Sequence, residues 1–127
     1  MASADDVSGG GPAVAAAEAC IAADLGAELA LPPVPLRLDR LLFAEGGARI
    51  LVSVPPERAQ AWQAALAAEA AAGSPIPAEP LGRVQASPRL SLGQGDQLVV
   101  DLAIADLRDS FERAIPRRLG VDLPPSA

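Results

Sequence analysis

The chain has 127 residues and a formal charge of −6; half of its residues are apolar and only 2% are aromatic. That length fits one domain with a single core and is short for a complete multi-substrate enzyme. A net negative chain is a poor match for nucleic acid, whose binding rests on neutralising phosphates, and for an anionic membrane surface. Histidine is absent and cysteine occurs once, at Cys20. These absences remove Ser-His-Asp triads, His-containing zinc sites, the commonest general base and any internal disulfide. Cys20 sits in an apolar helical stretch and reads as a small buried side chain. No apolar run approaches the ~18 residues of a membrane span, and no basic segment precedes the Ala-rich stretch, so the expected compartment is the cytoplasm.

The run Ala4-Asp5-Asp6-Val7-Ser8-Gly9-Gly10-Gly11-Pro12 sets carboxylates beside a glycine turn that leads into an Ala-rich helix. Pro12 suits a first helical position because its missing N–H would be unpaired there. A helix start of this kind presents N–H groups to anions, and an adjacent Asp has the oxygen chemistry to hold Mg²⁺ on a phosphate. Gly-rich turns before helices are common, however, so the run alone reads more readily as a turn than as a site. Asp5 and Asp6, as adjacent carboxylates, more readily repel each other and stay hydrated than share a metal.

Val14 to Leu25 reads as a helix with Gly26 as its C-cap, and Ala27 to Leu31 as a short strand stopped by Pro32-Pro33. The connector Pro32 to Pro35 is extended because each X-Pro step disfavours helix. Leu36 to Phe43 reads as a second helix, with Leu38, Leu41, Leu42 and Phe43 on its apolar side. Arg49 to Val54 is the clearest strand, Ile50, Val52 and Val54 sharing one face. Glu57 to Ala72 is rich in helix formers and sets Trp62 and Leu66 one turn apart as packing anchors; Gly73-Ser74-Pro75 stops it and Pro75 to Pro80 is a loop. Leu81 to Ala86 and Gln97 to Ala103 read as strands, the second with Leu98, Val100 and Leu102 inward. Gly93-Gln94-Gly95-Asp96 lacks the lysine and following helix of a P-loop and reads as a hairpin turn. Asp106 to Ile115 is an amphipathic helix with Leu107, Phe111, Ala114 and Ile115 on one side and Asp106, Arg108, Asp109, Glu112 and Arg113 toward water. Pro116 ends it, and Arg117-Arg118 is a solvated helix end. Glu45, before Gly46-Gly47, reads as a polar helix end. Strands interleaved with helices predict an α/β fold of α+β type: a small mixed or antiparallel sheet of about four strands with helices packed on one face. The expected domain is 1–119, with 1–12 as the glycine-rich motif and lead-in and 120–127 as a loose Pro-rich tail.

Several segments in this order resemble the C-terminal domain of phosphoribosylformylglycinamidine synthase, within the aminoimidazole ribonucleotide synthase superfamily. They are Ala4 to Glu18, Leu42-Phe43-Ala44-Glu45 with Arg49-Ile50-Leu51-Val52-Ser53-Val54, and Leu102 to Arg108 with Ala114-Ile115-Pro116. The family's opening run is of the form His-Asp-Val-Ser-Asp-Gly-Gly-Leu; here Asp5 stands at the His position, Gly9 at the second Asp and Pro12 at the Leu. The resemblance implies ATP-dependent amidation of formylglycinamide ribonucleotide, in purine biosynthesis, with ammonia released from glutamine by a separate glutaminase. It implies Asp6 as the residue facing a nucleotide-bound Mg²⁺ and Ser8, Gly9, Gly10 and Gly11 as the phosphate-binding segment, with no catalytic residue from this chain. For Glu45 it implies, instead of a polar helix end, a buried-edge or ligand-facing carboxylate of a cleft. Mg²⁺ and ATP or ADP are implied only for the complete synthetase, and no cofactor for the isolated chain. The implied partners are the remaining synthetase domains, with the glutaminase and small accessory subunits, and neither nucleic acid nor membrane. The isolated chain is expected to be inactive. The alternative reading is a non-catalytic interaction or dimerisation module derived from that domain, which the departures at Asp5, Gly9 and Pro12 favour.

Overall fold

The computed structural model describes residues 2–121, in the order β1 (Ser3–Asp6), α1 (Gly11–Ala23), β2 (Gly26–Ala30), α2 (Leu38–Phe43), β3 (Ile50–Ser53), a 3-10 turn (Pro56–Arg58), α3 (Ala59–Ala71), β4 (Gly82–Gln85), β5 (Arg89–Gln94), β6 (Gln97–Ala103) and α4 (Ile104–Leu119). These elements fall into two compact units, one built from 1–15 and 36–81 and the other from 16–35 and 82–127. The expected tail at 120–127 lies, beyond Val121, outside the described residues.

The first unit carries a two-stranded antiparallel ribbon in which β1 pairs β3, Asp6 opposite Ile50 and Ser3 opposite Ser53. The β-branched run Ile50 to Val54 supplies the strand propensity. The Ser-Ala-Asp-Asp segment has none, and it is extended because β3 offers it a ladder. Val7 follows β1 into the interior and donates its N–H to the Arg49 carbonyl at 2.9 Å. In α2 only Leu42 is buried, and Phe43 is exposed, so the expected four-residue apolar side contributes one core contact. Trp62 and Leu66 are the only residues of α3 that are not exposed, which agrees with their role as that helix's anchors.

The second unit is built on a four-stranded mixed sheet of order β4-β2-β5-β6, with β2 and β5 parallel and the other pairs antiparallel. This is the expected fold class, an α/β arrangement with helices on one face of the sheet. Opposite residues in the ladders share a face, so Ala27, Leu29, Leu90, Leu92, Val100 and Leu102 form the apolar side. Ala16, Cys20, Ala27, Leu90, Leu92 and Ile104 are buried in this unit. The other side is polar: Arg83 pairs with Glu28 at 2.7 Å and Arg89 with Asp101 at 2.8 Å. The Arg89 guanidinium holds the Asp101 carboxyl below the usual carboxylate range. Burial pushes the Cys20 thiol up, consistent with a packed side chain.

Five local expectations change. Gly26 does not cap α1: the helix ends at Ala23, Asp24 takes the left-handed conformation and Gly26 opens β2. Arg89–Gln94 is a strand where only a connection was expected, and the hairpin turn narrows to Gly95-Asp96, with Gly95 at φ 58°. An irregularity between Leu92 and Gly93 pairs Leu98 with Gly93. Neighbouring Leu92 and Gly93 face opposite sides, so Leu98 leaves the apolar face of Val100 and is 64% exposed. Pro116 does not end α4: the helix runs to Leu119 and closes on Gly120, a left-handed cap at φ 66°. Finally, Phe111 and Ile115 of the expected inward stripe are exposed, together with Leu119. Ile104 is the buried residue of α4, and one turn on, Arg108 is only 23% exposed.

Arg108 donates to the Ile21 carbonyl at 3.0 Å and to Asp24 Oδ1 at 2.8 Å. Both acceptors lie at the C-terminal end of α1, where the helix carbonyls lack partners and a cation is favoured. Asp24 is held there in a left-handed conformation, φ 54°. Arg108→Ala is expected to destabilise the fold by about 1.5–3 kcal/mol, the range for hydrogen bonds to charged groups. Arg108→Lys should lose less, because it keeps the charge and gives up the forked geometry. Urea unfolding midpoints of the two variants check this order.

Candidate functional site

The candidate site is the turn between β1 and α1, and it lies wholly in the first unit. β1 ends on Asp6, which is exposed, while Asp5 beside it is half-buried and opposite Leu51. Consecutive strand residues point to opposite faces, so the two carboxylates do not share a direction. Ser8 and Gly9 are exposed, and the Ser8 carbonyl accepts the Gly11 N–H at 3.2 Å.

The glycines are not equivalent. Gly10 and Gly11 have φ of 83° and 73°, a region that L side chains rarely occupy. A Cβ on Gly11 would stand 2.6 Å from the Phe43 carbonyl carbon, so at Gly11 the start of α1 runs directly against the end of α2. A Cβ on Gly10 would meet the Val14 side chain, whereas one on Gly9 would meet nothing within 4 Å. Gly10 and Gly11 are therefore required by the backbone, and Gly9 is not.

The turn is held by a second loop. Gly10 donates its N–H to Glu45 Oε1 at 2.9 Å. Arg49 fixes that loop from the other side, its guanidinium donating to the Gly46 carbonyl at 3.1 Å and to the Ala44 carbonyl. Gly46, Gly47 and Ala48 all have positive φ, at 89°, 82° and 46°. The Leu-Phe-Ala-Glu and Arg-strand segments are thus brought against the glycine turn. Neither the Glu45 contact nor the Arg49 clamp was legible in the sequence, because the partners are 35 residues apart for Glu45 and the Arg49 bonds are to main-chain oxygens.

Of the glycine amides, that of Gly10 faces a carboxylate and that of Gly11 a carbonyl, and Pro12 has none. Among the described residues no group of three or more His, Cys, Asp or Glu side chains is arranged to hold a metal. Asp6 alone fits Mg²⁺ only in the way Mg²⁺ is held on nucleotides, through one or two carboxylates with phosphate oxygens and water completing the shell. No described helix is long and apolar enough to cross a membrane.

Residues 1–94 match the family model described as AIR synthase related protein, C-terminal domain. The chain belongs to this family. The PurL subunit of phosphoribosylformylglycinamidine synthase from Prochlorococcus marinus strain MIT 9313 is 53% identical over 125 residues, covering 98% of this chain and 16% of that protein. The PurL subunit of Synechococcus sp. strain WH7803 is 49% identical over 120 residues, covering 94% of this chain and 15% of that protein. The resemblance seen in the sequence is therefore borne out by curated PurL relatives, and the chain spans only about 16% of their length. Among solved structures, Thermotoga maritima PurL complexed with FGAR superimposes with a TM-score of 0.64 at 26% identity, over 82% of this chain and 17% of that one. T. maritima PurL complexed with ATP gives a TM-score of 0.67 at 20% identity, over 82% of this chain and 18% of that one. The PurLQS structure from the same organism gives 0.65 at 23% identity, over 82% of this chain and 18% of that one. The last two show that the AIR synthase related C-terminal domain shares its fold with these chains.

Proposed function

We propose that this chain is the AIR synthase related C-terminal segment of a PurL-type synthetase that amidates formylglycinamide ribonucleotide with glutamine-derived ammonia and ATP in purine biosynthesis. It supplies one wall of a nucleotide or phosphate cleft. Ser8 and the Gly9 to Gly11 turn meet the phosphate there, and Asp6 faces the Mg²⁺ that the phosphate carries. The observation that carries this reading is 53% identity to a PurL subunit over nearly the whole chain. The β1–α1 turn supports it, since it sets an exposed carboxylate beside a glycine segment opening a helix. On this reading residues 1–119 act as one synthase-type domain. The partners are the remaining synthetase domains, with the glutaminase and small accessory subunits, and the compartment is the cytoplasm.

The chemistry belongs to the parts of the synthetase beyond this segment. The chain has no histidine, its one thiol is buried, and Asp6 is the single carboxylate offered to a metal. Incubating the isolated chain with ATP, Mg²⁺, ammonia and formylglycinamide ribonucleotide is expected to give no amidated product. Metal-dependent turnover at ordinary enzyme rates, on the order of 1–1,000 s⁻¹, contradicts the reading.

A second reading, a non-catalytic interaction or dimerisation module, is favoured by one observation. Phe111, Ile115 and Leu119 are spaced every fourth residue on α4, and all three are exposed. Exposed apolar stripes of this kind mark contact surfaces. Sedimentation of the chain alone and with a PurL-type synthetase separates the two readings: a monomer that ignores the synthetase rules out the module.

A further inference from the structure

We infer that Glu45 is a built-in competitor for the anion at the glycine turn, seated on the amide that a phosphate oxygen would take. The inference rests on the proposal that this turn receives phosphate, and it adds a residue that sets how readily it does so. The Glu45 carboxylate accepts the Gly10 N–H at 2.9 Å. A phosphate approaching that amide must displace the carboxylate and then stand beside its negative charge. The loop holds Glu45 in place: Arg49 donates to the carbonyls of Ala44 and Gly46, the residues on either side of Glu45, and its own carbonyl accepts the Val7 N–H. Arg49 is the positioning residue of this contact. The contact is solvent-exposed, so it is displaceable, and it acts as a bias on the turn.

The remaining donors show why one carboxylate matters here. The Gly11 N–H is turned to the Ser8 carbonyl, and Pro12 donates nothing. With Gly10 occupied, the donors left at the turn are the exposed Ser8 hydroxyl and Gly9 amide. Removing the carboxylate returns the Gly10 amide and deletes a repulsive charge together.

The test is a titration of the isotopically labelled full chain with inorganic pyrophosphate, without divalent metal, following the Gly9, Gly10 and Gly11 amide resonances. Glu45→Ala is expected to bind about three- to tenfold more tightly than wild type, the range for loss of one exposed hydrogen bond. Glu45→Gln falls between them, because it keeps an acceptor for Gly10 and loses the charge. The difference between wild type and Glu45→Gln should shrink with added salt, since exposed charges are screened. Faster hydrogen exchange of the Gly10 amide in Glu45→Ala reports the lost contact independently, and unchanged resonances in β1, β3 and α3, which share its unit, show that the fold is intact. Equal or weaker pyrophosphate binding in Glu45→Ala, with the turn resonances still responding, overturns the role of Glu45 and leaves the phosphate turn standing. No response at the turn in any of the three proteins overturns both.

Discussion

Replacing Gly26 by alanine is expected to abolish the native sheet of the second unit or to lower its melting temperature by about 12 °C, the top of the overpacking range. Gly26 is buried at the start of β2, opposite Gln85 of β4. A Cβ there would stand 1.9 Å from the Ser87 carbonyl oxygen and 2.3 Å from that of Arg89. Both obstacles are main chain, one in the link that carries β4 into β5 and the other at the first residue of β5, so neither can move without disturbing a ladder. Overpacking a well-filled site costs about 1–3 kcal/mol and occasionally more, and here there is no side chain to give way. Each kcal/mol corresponds to roughly 4 °C for a domain of this size. Gly82 is the matching position at the other end of the same ladder, with φ of 151° and a Cβ that would meet the Glu28 carbonyl oxygen at 2.0 Å. Gly9→Ala is the control, with open space around the new methyl and an expected change within about 0.5 kcal/mol. Circular dichroism melts of the three variants check the contrast; a Gly26→Ala protein melting with wild type would refute the close approach.

Gly11→Ala is expected to have an effect at least as large, and it acts in the first unit. Backbone strain at φ of 73° costs about 1–3 kcal/mol for a residue with a side chain. The overlap with the Phe43 main chain, at 2.6 Å, adds about 1–3 kcal/mol of the kind seen on overpacking. Gly10→Ala carries the same φ penalty, but its Cβ would meet the Val14 side chain and not a neighbouring element's main chain, so it should be the milder of the pair. Trp62 is the only tryptophan and lies in the same unit as Gly11. Urea unfolding followed by its fluorescence should therefore show the Gly11→Ala midpoint below that of Gly10→Ala. The reverse order would mean that the α1 start and α2 end do not approach as described.

What the sequence disclosed follows from where local chemistry and final structure agree. The alternation Ile50, Val52 and the Ala-rich run through Trp62 and Leu66 name β3 and α3 because local propensity alone agrees with the final structure there. Gln97 to Ala103 is a strand for the same reason, yet its inward set failed at Leu98, because the irregularity opposite Gly93 is a register event with no local signature. β1 was hidden behind Ser-Ala-Asp-Asp, a segment made extended by its partner and not by its residues. β5 could have been found, since Arg89-Leu90-Ser91-Leu92 alternates, but Gly93 and the following turn residues masked it. The stripe Phe111 and Ile115 was read correctly as a periodic face and wrongly as an inward one, because periodicity identifies a face without identifying what covers it.

The candidate site was half visible. Asp6, Ser8 and the three glycines stand together by sequence adjacency alone, and the structure adds why Gly10 and Gly11 must be glycine. Glu45 was legible as a polar helix end or a ligand-facing carboxylate, but not as the partner of Gly10. Its carboxylate reaches Gly10 because Arg49 folds the 44–49 loop over its own carbonyls, a long-range main-chain event that residue spacing does not encode.

The most direct measurement is an exchange of segments. The part of the Prochlorococcus marinus MIT 9313 PurL subunit that aligns with this chain is replaced by the chain itself, and ammonia-dependent amidation of formylglycinamide ribonucleotide is followed. The account predicts a chimera that consumes ATP and forms the amidated product. A chimera that folds, stays monodisperse and binds formylglycinamide ribonucleotide, yet turns over nothing, would contradict it.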